Sequence, residues 1–91
     1  VLMPLGIYSK KIKALKDLKD QAKIAIPNDP TNGGRALKLL EKEVLIKLKP
    51  SENPTILDVS ENPRKFSIIE IEAPQVPRTL DDVEIAIINT D

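Results

Sequence analysis

The sequence reads as a small α/β domain whose open, mostly parallel sheet is flanked by helices. Three features lead there. Short extended apolar stretches alternate with helical ones along the 91 residues, the pattern of a parallel sheet with crossover connections. Ile85-Ala86-Ile87-Ile88 is an uninterrupted apolar run of the kind carried by a strand buried on both faces. Asn28 to Arg35 packs turn formers, N-cap residues and two glycines between a strand and a strongly periodic helix.

In chain order, Leu2 to Tyr8, broken by Pro4 and Gly6, is a first strand or crossing segment, and Ser9 is placed to cap the segment after it. Ile12, Leu15 and Leu18 lie three apart among lysines and predict a short amphipathic helix lying on the sheet. Ala22 to Ile26 comes next as a strand with Ile24 and Ile26 on one face and Ala25 on the other, stopped by Pro27. The main helix is expected from about Asn32 to Glu43, with Ala36, Leu37, Leu40 and Val44 as its buried stripe. Leu45 to Leu48 is a short strand or a helix end, and periodicity does not decide between them. Past the loop at Pro50, Asn53 and Pro54, Thr55 caps one helical segment carrying Ile56 and Val59. Phe66, Ile68, Ile69 and Ile71 form a strand, with Glu70 and Glu72 interleaved. Ala73 to Pro77 is a stiff connector, Thr79 caps a short helix with Leu80 and Val83, and the last apolar run ends at Asn89.

Composition removes whole classes of chemistry. Histidine and cysteine are absent, so imidazole bases, thiolate nucleophiles, disulfides and Cys/His zinc sites are all excluded. Tyr8 and Phe66 are the only aromatic residues, which leaves almost nothing to stack on bases and argues against a nucleic-acid partner. The 14 basic and 14 acidic residues balance, but residues 1–49 hold eleven basic and five acidic groups, and residues 50–91 three and nine. That asymmetry leaves open a second reading, a small stand-alone α/β interaction domain whose basic N-terminal half meets acidic partners. The lysines between residues 10 and 19 alternate with apolar residues, as a solvated face does. Asp81, Asp82 and Glu84 read as partners of a helix dipole rather than a cation site, and Glu70 and Glu72 as solvent-facing. No cofactor loop and no catalytic base with an orienting partner is visible, so no enzyme activity and no cofactor are expected. No apolar run reaches the roughly 18 residues of a membrane span. Val1 opens in mid-pattern, and both ends read as cuts in a longer chain.

Open parallel sheets gather ligands at the carboxyl ends of their strands. Asn28 to Arg35 and Asn89 to Asp91 both fall at that edge. A helix N-terminus offers unpaired N–H groups and favours an anion, and Gly33 and Gly34 open the backbone to close approach. Arg35 adds a planar fork of donors suited to a carboxylate, while Asn32 and Asn89 each carry an amide that suits a zwitterion. The stretch lacks the Gly-Lys-Ser/Thr of a phosphate loop. The same residues also have an ordinary structural use: Asn28, Asp29, Thr31 and Asn32 are turn and capping residues, the glycines serve backbone geometry, and Arg35 pairs with an acidic neighbour.

Pro4-Leu5-Gly6-Ile7-Tyr8-Ser9-Lys10-Lys11 and Ala25-Ile26-Pro27-Asn28-Asp29-Pro30-Thr31-Asn32-Gly33-Gly34-Arg35-Ala36-Leu37 resemble the methionine-binding lipoproteins that feed bacterial ABC importers. The likeness runs on through Leu45 to Leu48, Glu61-Asn62-Pro63, Arg78 to Val83 and Ile88-Asn89, covering nearly the whole chain. It implies a type II periplasmic-binding-protein fold: two α/β lobes joined by crossing strands, with an amino acid, methionine by default, in the cleft. Residues 1–9 would then be the interlobe entry strand and residues 10–91 a partial second lobe. By the same resemblance Arg35 holds the ligand carboxylate, Asn32 belongs to the same binding loop, and Asn89 adds an amide contact. Permease subunits would be the partners, and the parent would be lipid-anchored in the cell envelope, facing outward. The piece alone would bind weakly or not at all, and its uncovered apolar edge would invite self-association. Two departures from the family pattern concern stability: Asp20-Gln21 replaces a small-residue turn, and Glu43-Val44 replaces a helix-ending Ala-Gly.

Overall fold

The computed structural model describes residues 5–89. Four strands form one sheet, in the order β1 (Leu5–Tyr8), β6 (Ile85–Asn89), β2 (Lys23–Pro27) and β5 (Ser67–Ile71). The expected start of the first strand at Leu2 lies outside the described residues. β2 runs parallel to both β6 and β5, whereas β1 is antiparallel to β6, so the sheet is mostly parallel with one antiparallel edge. Lys47–Leu48 (β3) and Val59–Glu61 (β4) pair in a separate antiparallel ribbon, which settles Leu45 to Leu48 in favour of a short strand.

The two faces of the sheet are packed differently, and the alternation along β2 and β6 sets the difference. Ile24, Ile26, Ile85 and Ile87 project to one side and close over Ala36, Leu37 and Leu40 of the helix α1 (Pro30–Lys42). Ala25 and Ala86 project to the other and meet Val76 and Val83. Each isoleucine is removed from water, and burial of that size contributes roughly 1.5 to 3 kcal/mol per side chain. The alanines leave so little relief that an irregular strap, the 3-10 segment Ala73–Asp81, lies directly on the sheet with Val76 fully buried as its anchor.

Three expectations fail here. No amphipathic helix forms around Ile12, Leu15 and Leu18; only a single 3-10 turn, Leu15–Asp17, is present. Ser9 does cap, but its hydroxyl takes the N–H groups of Lys11 and Ile12 and donates to the carbonyl of Glu84, closing a turn in place of a helix. A helix this short has too few internal bonds to offset its nucleation, and Leu18 reaches the core with the chain extended before and after that turn. Thr79, expected to cap a helix, instead lies inside the strap and donates its hydroxyl to the carbonyl of Val76, so the connector from Ala73 is itself helical. Val44 is not in the buried stripe: it is 84% exposed. The helix ends before it, with Val44 N–H bonded to Glu41 O at 2.9 Å and Leu45 N–H to Leu40 O at 3.0 Å. Those two bonds make a Schellman motif that holds Val44 at φ 63°, where glycine normally stands. Gln21, at the other departure, also has positive φ, 66°, and is held by its N–H to Arg64 O at 2.8 Å.

Candidate functional site

The carboxyl ends of β2 and β6 are neighbours on one edge of the sheet, because the two strands are parallel and adjacent. β2 delivers Pro27, and the chain turns through Asn28 and Asp29 into α1. Asn28 is exposed, and its N–H bonds Ile71 O at 2.8 Å, tying the turn to the end of β5 as well. β6 delivers Asn89, whose backbone is paired with Leu5 of β1; the amide expected of Asn89 lies outside the described side chains. Leu5 in turn lines a groove of about 300 Å³ with Arg35, Lys38, Leu39 and Lys42. Leu5 therefore neighbours the Asn89 end of β6 through the strand pairing and Arg35 through the groove.

The start of α1 is built from local rules. Asp29 is its N-cap, in extended geometry, and its carboxylate accepts the N–H of Asn32 at 3.0 Å. Pro30 occupies the first helical position, where a missing N–H costs nothing, and Thr31 beside it is exposed. The helix starts two residues earlier than its hydrophobic period suggests, since Pro30 and Thr31 carry no apolar signal. The N–H of Gly33 bonds Asp29 O at 2.8 Å. The positive end of the helix thus already holds a carboxylate of its own chain, so an anion arriving there meets a negative charge beside the backbone donors.

The glycines turn inward. A Cβ on Gly33 would stand 2.8 Å from the carbonyl oxygen of Pro27, and one on Gly34 3.3 Å from that of Pro54. The close approach they allow is the helix's own, against the end of β2 and the 54 loop, and not that of a ligand. Both have negative φ, so space and not backbone conformation demands glycine. The part of Pro54 had no local signal, because it lies twenty residues away in sequence.

What remains to face outward is side-chain chemistry. Arg35 is half-buried, and its Nη1 donates to Asn32 Oδ1 at 3.4 Å, one of its partners. Lys38 donates from Nζ to the carbonyl of Glu52 at 2.9 Å, on the same helical face as Arg35 and Lys42. Sequence reasoning missed Leu5, Lys38, Leu39 and Lys42 as walls of this groove; the spacing of Arg35, Lys38 and Lys42 by three and four residues was the available signal.

Other candidate chemistry disperses. Asp81 pairs with Lys10 at 3.1 Å, and the Glu84 carboxylate accepts the N–H of Lys23 at 2.6 Å. Among the described residues no three His, Cys, Asp or Glu side chains converge on a metal position, and no helix is long and apolar enough to cross a membrane. A larger hollow of about 490 Å³, lined by Ile7, Tyr8, Ile12, Leu15 and Ile85, opens at the opposite end of β6. Its wall carries one charged residue, Lys13, with Ser9 and Tyr8, against the three cationic side chains of the smaller groove at the carboxyl edge.

Known proteins resemble this chain along nearly its whole length. The family model for the NlpA lipoprotein matches residues 1–91. The chain is 57% identical over 91 residues to the D-methionine-binding lipoprotein MetQ of Escherichia coli strain K12, and 61% identical over 89 residues to outer membrane lipoprotein 3 of Mannheimia haemolytica. In both cases 96% of the chain and 34% of the relative are covered, so the chain spans about a third of the length of these relatives. Its fold superposes on a nutrient binding protein from Burkholderia cenocepacia bound to methionine with a TM-score of 0.93 and 52% identity, over 98% of this chain and 39% of that one.

Proposed function

This chain belongs to the NlpA lipoprotein family, and from that premise we propose that it supplies part of a non-catalytic solute receptor of a bacterial ABC importer, one that captures a small amino acid, methionine above others. In this reading residues 1–9 enter from a first lobe and residues 10–91 make up much of a second. The ligand lies against the carboxyl edge of the sheet, Arg35 takes its carboxylate, Asn32 stands beside Arg35, and Asn89 contributes an amide from the end of β6. Asn28, Asp29, Thr31, Gly33 and Gly34 shape the loop and helix start that present these groups. The receptor is anchored to the envelope by lipid and hands its ligand to permease subunits.

The observation that carries the reading is the half-buried guanidinium of Arg35, held by Asn32 on the first turns of α1 at the strand edge shared with Asn89. A planar, always charged fork in that position matches a carboxylate in shape and charge. Capture works by closure: a ligand that touches two lobes favours the closed arrangement by the difference in its affinity for the two states. Contacts from one lobe alone grip one side of the ligand and supply no such difference. The named relatives, one of them seen with methionine, make methionine the first ligand to test.

Arg35→Ala, placed in a polypeptide that supplies both lobes, tests the assignment. Calorimetry is expected to show methionine binding weakened by about 2 to 4 kcal/mol, because a desolvated carboxylate loses its charged partner. An unchanged dissociation constant removes Arg35 from the site.

A further inference from the structure

We propose that the end of the domain opposite the candidate site is a membrane-facing surface, where an apolar hollow beside β1 and the lysines around it seat the protein on the anionic phospholipid headgroups of a bilayer. The hollow, about 490 Å³, is lined by Ile7, Tyr8, Ile12, Leu15 and Ile85, with Lys13 on its wall. Its apolar lining is not sealed: Ile12 and Leu15 are half-buried, and Tyr8 is 40% exposed. Residues 10–19 hold five lysines and one aspartate, and every one of those lysines is exposed. Because this stretch forms only the single 3-10 turn Leu15–Asp17, Ile12 and Leu15 pack toward the core while Lys11, Lys13 and Lys16 beside them stay in water.

The acids near this end are engaged elsewhere. Asp81 is held by Lys10 at 3.1 Å, Asp20 by Arg64 at 2.8 Å, and the Glu84 carboxylate by the N–H of Lys23 at 2.6 Å. Asp82 lines a separate pocket with Lys23, Ala25 and Val83, on the alanine face of the sheet. Within residues 10–19, Asp17 alone stands against Lys11, Lys13, Lys16 and Lys19, none of which forms an ion pair among the described residues. Lysine stems lie along apolar surface while their ammonium groups reach phosphate oxygens, and Tyr8, Ile12 and Leu15 supply the apolar contact that an interfacial surface adds to its charge. The choice of a bilayer as the partner rests on the envelope anchoring proposed above: a lipid tether keeps the surface within reach of headgroups, so individually weak contacts suffice. β6 runs from Ile85 at the hollow to Asn89 at its far end, so a bilayer seated on the hollow leaves the carboxyl edge of the sheet open to a ligand.

Vesicle sedimentation tests the surface, with an unlipidated polypeptide that supplies both lobes and vesicles of phosphatidylcholine with and without phosphatidylglycerol. Binding is expected to the vesicles that contain phosphatidylglycerol and not to the neutral ones, and it is expected to weaken as salt rises. Lys11→Gln, Lys13→Gln and Lys16→Gln made together are expected to lower the partition coefficient by about 100-fold, since each lysine near an anionic surface contributes about fivefold. Lys47→Gln with Lys49→Gln, at the β3 ribbon, removes charge away from the hollow and is expected to change it by no more than about twofold. All five side chains are exposed, so both variants are expected to fold, and thermal unfolding is measured alongside. Equal affinity for the two kinds of vesicle, binding to neither, or the same loss from both sets of substitutions overturns the assignment. Retention on heparin without binding to vesicles overturns it too, and marks a polyanion as the partner. Methionine calorimetry on the unsubstituted polypeptide keeps the two readings apart: absence of amino-acid binding overturns the receptor reading, and the vesicle result alone decides the surface.

Discussion

The two ends of α1 obey opposite rules. At its start, Asp29 caps, Pro30 fills the position that suits it, Gly33 is required by the carbonyl of Pro27, and Gly34 lies tight against Pro54. At its finish, a Schellman turn is completed with valine where glycine is favoured, and that valine stands almost fully in water. The start is clamped between β2 and the 54 loop: a Cβ at Gly33 would collide with backbone at 2.8 Å, and one at Gly34 would be tight at 3.3 Å. The finish is held by two backbone bonds and by Leu45 and Ile46 folding back toward the core, which is enough to carry a strained φ at one exposed residue. Precision is concentrated at the end that presents Asn32 and Arg35, and strain is accepted just past Lys42, at a residue outside the groove.

Substitutions at the two ends put that contrast to the test. Gly33→Ala has the largest expected effect on stability. Alanine is the better helix former by about 1 kcal/mol, yet a Cβ 2.8 Å from Pro27 O forces the helix off the strand, and overpacking of that kind costs more than propensity returns. A net loss of about 2 kcal/mol in urea unfolding is expected, and a gain in stability would show that the helix start can slide freely. Asp29→Ala comes next: loss of the cap is expected to cost about 1 kcal/mol, with Asp29→Ser recovering most of it, and a midpoint that does not move would mean that the carboxylate contributes nothing to the helix. The smallest effect is at the far end and has the opposite sign. Val44→Gly relieves the left-handed conformation and removes an exposed apolar side chain, so thermal melting should rise by an amount worth about 0.5 to 1 kcal/mol. A fall on that substitution would reveal a contact made by the valine that its exposure hides.

Much of the architecture was legible because the relevant physics is local. The alternation of residues 24–26 fixed one strand and which of its side chains share a face, the uninterrupted apolar run 85–88 fixed another, and the 3.6-residue period fixed α1 over most of its length. The stretch from Ser9 to Lys19 misled because its apolar spacing fits a helix that has too little length to nucleate, and because the hydroxyl of Ser9 was free to bond elsewhere. Thr79 misled for a similar reason: a side chain able to cap is equally able to bond back within a helix already under way, as it does to Val76. For the site, Arg35 and Asn32 could be singled out from residue type and position after a strand, but the meaning of the glycines could not, since it depends on Pro27 and Pro54.

Residue order alone was enough to set the class of fold, the succession of its main elements, the capped entry into α1, and a short list of groups able to meet a carboxylate, because turn chemistry, periodicity and side-chain functionality are properties of neighbours along the chain. Three-dimensional packing settled the antiparallel edge at β1, the separate ribbon of β3 and β4, the bare alanine face under the strap, and the inward turn of the glycines. Each of those depends on atoms brought together from distant stretches, where the winner between two local options is set by what space and which hydrogen-bond partners the rest of the fold leaves open.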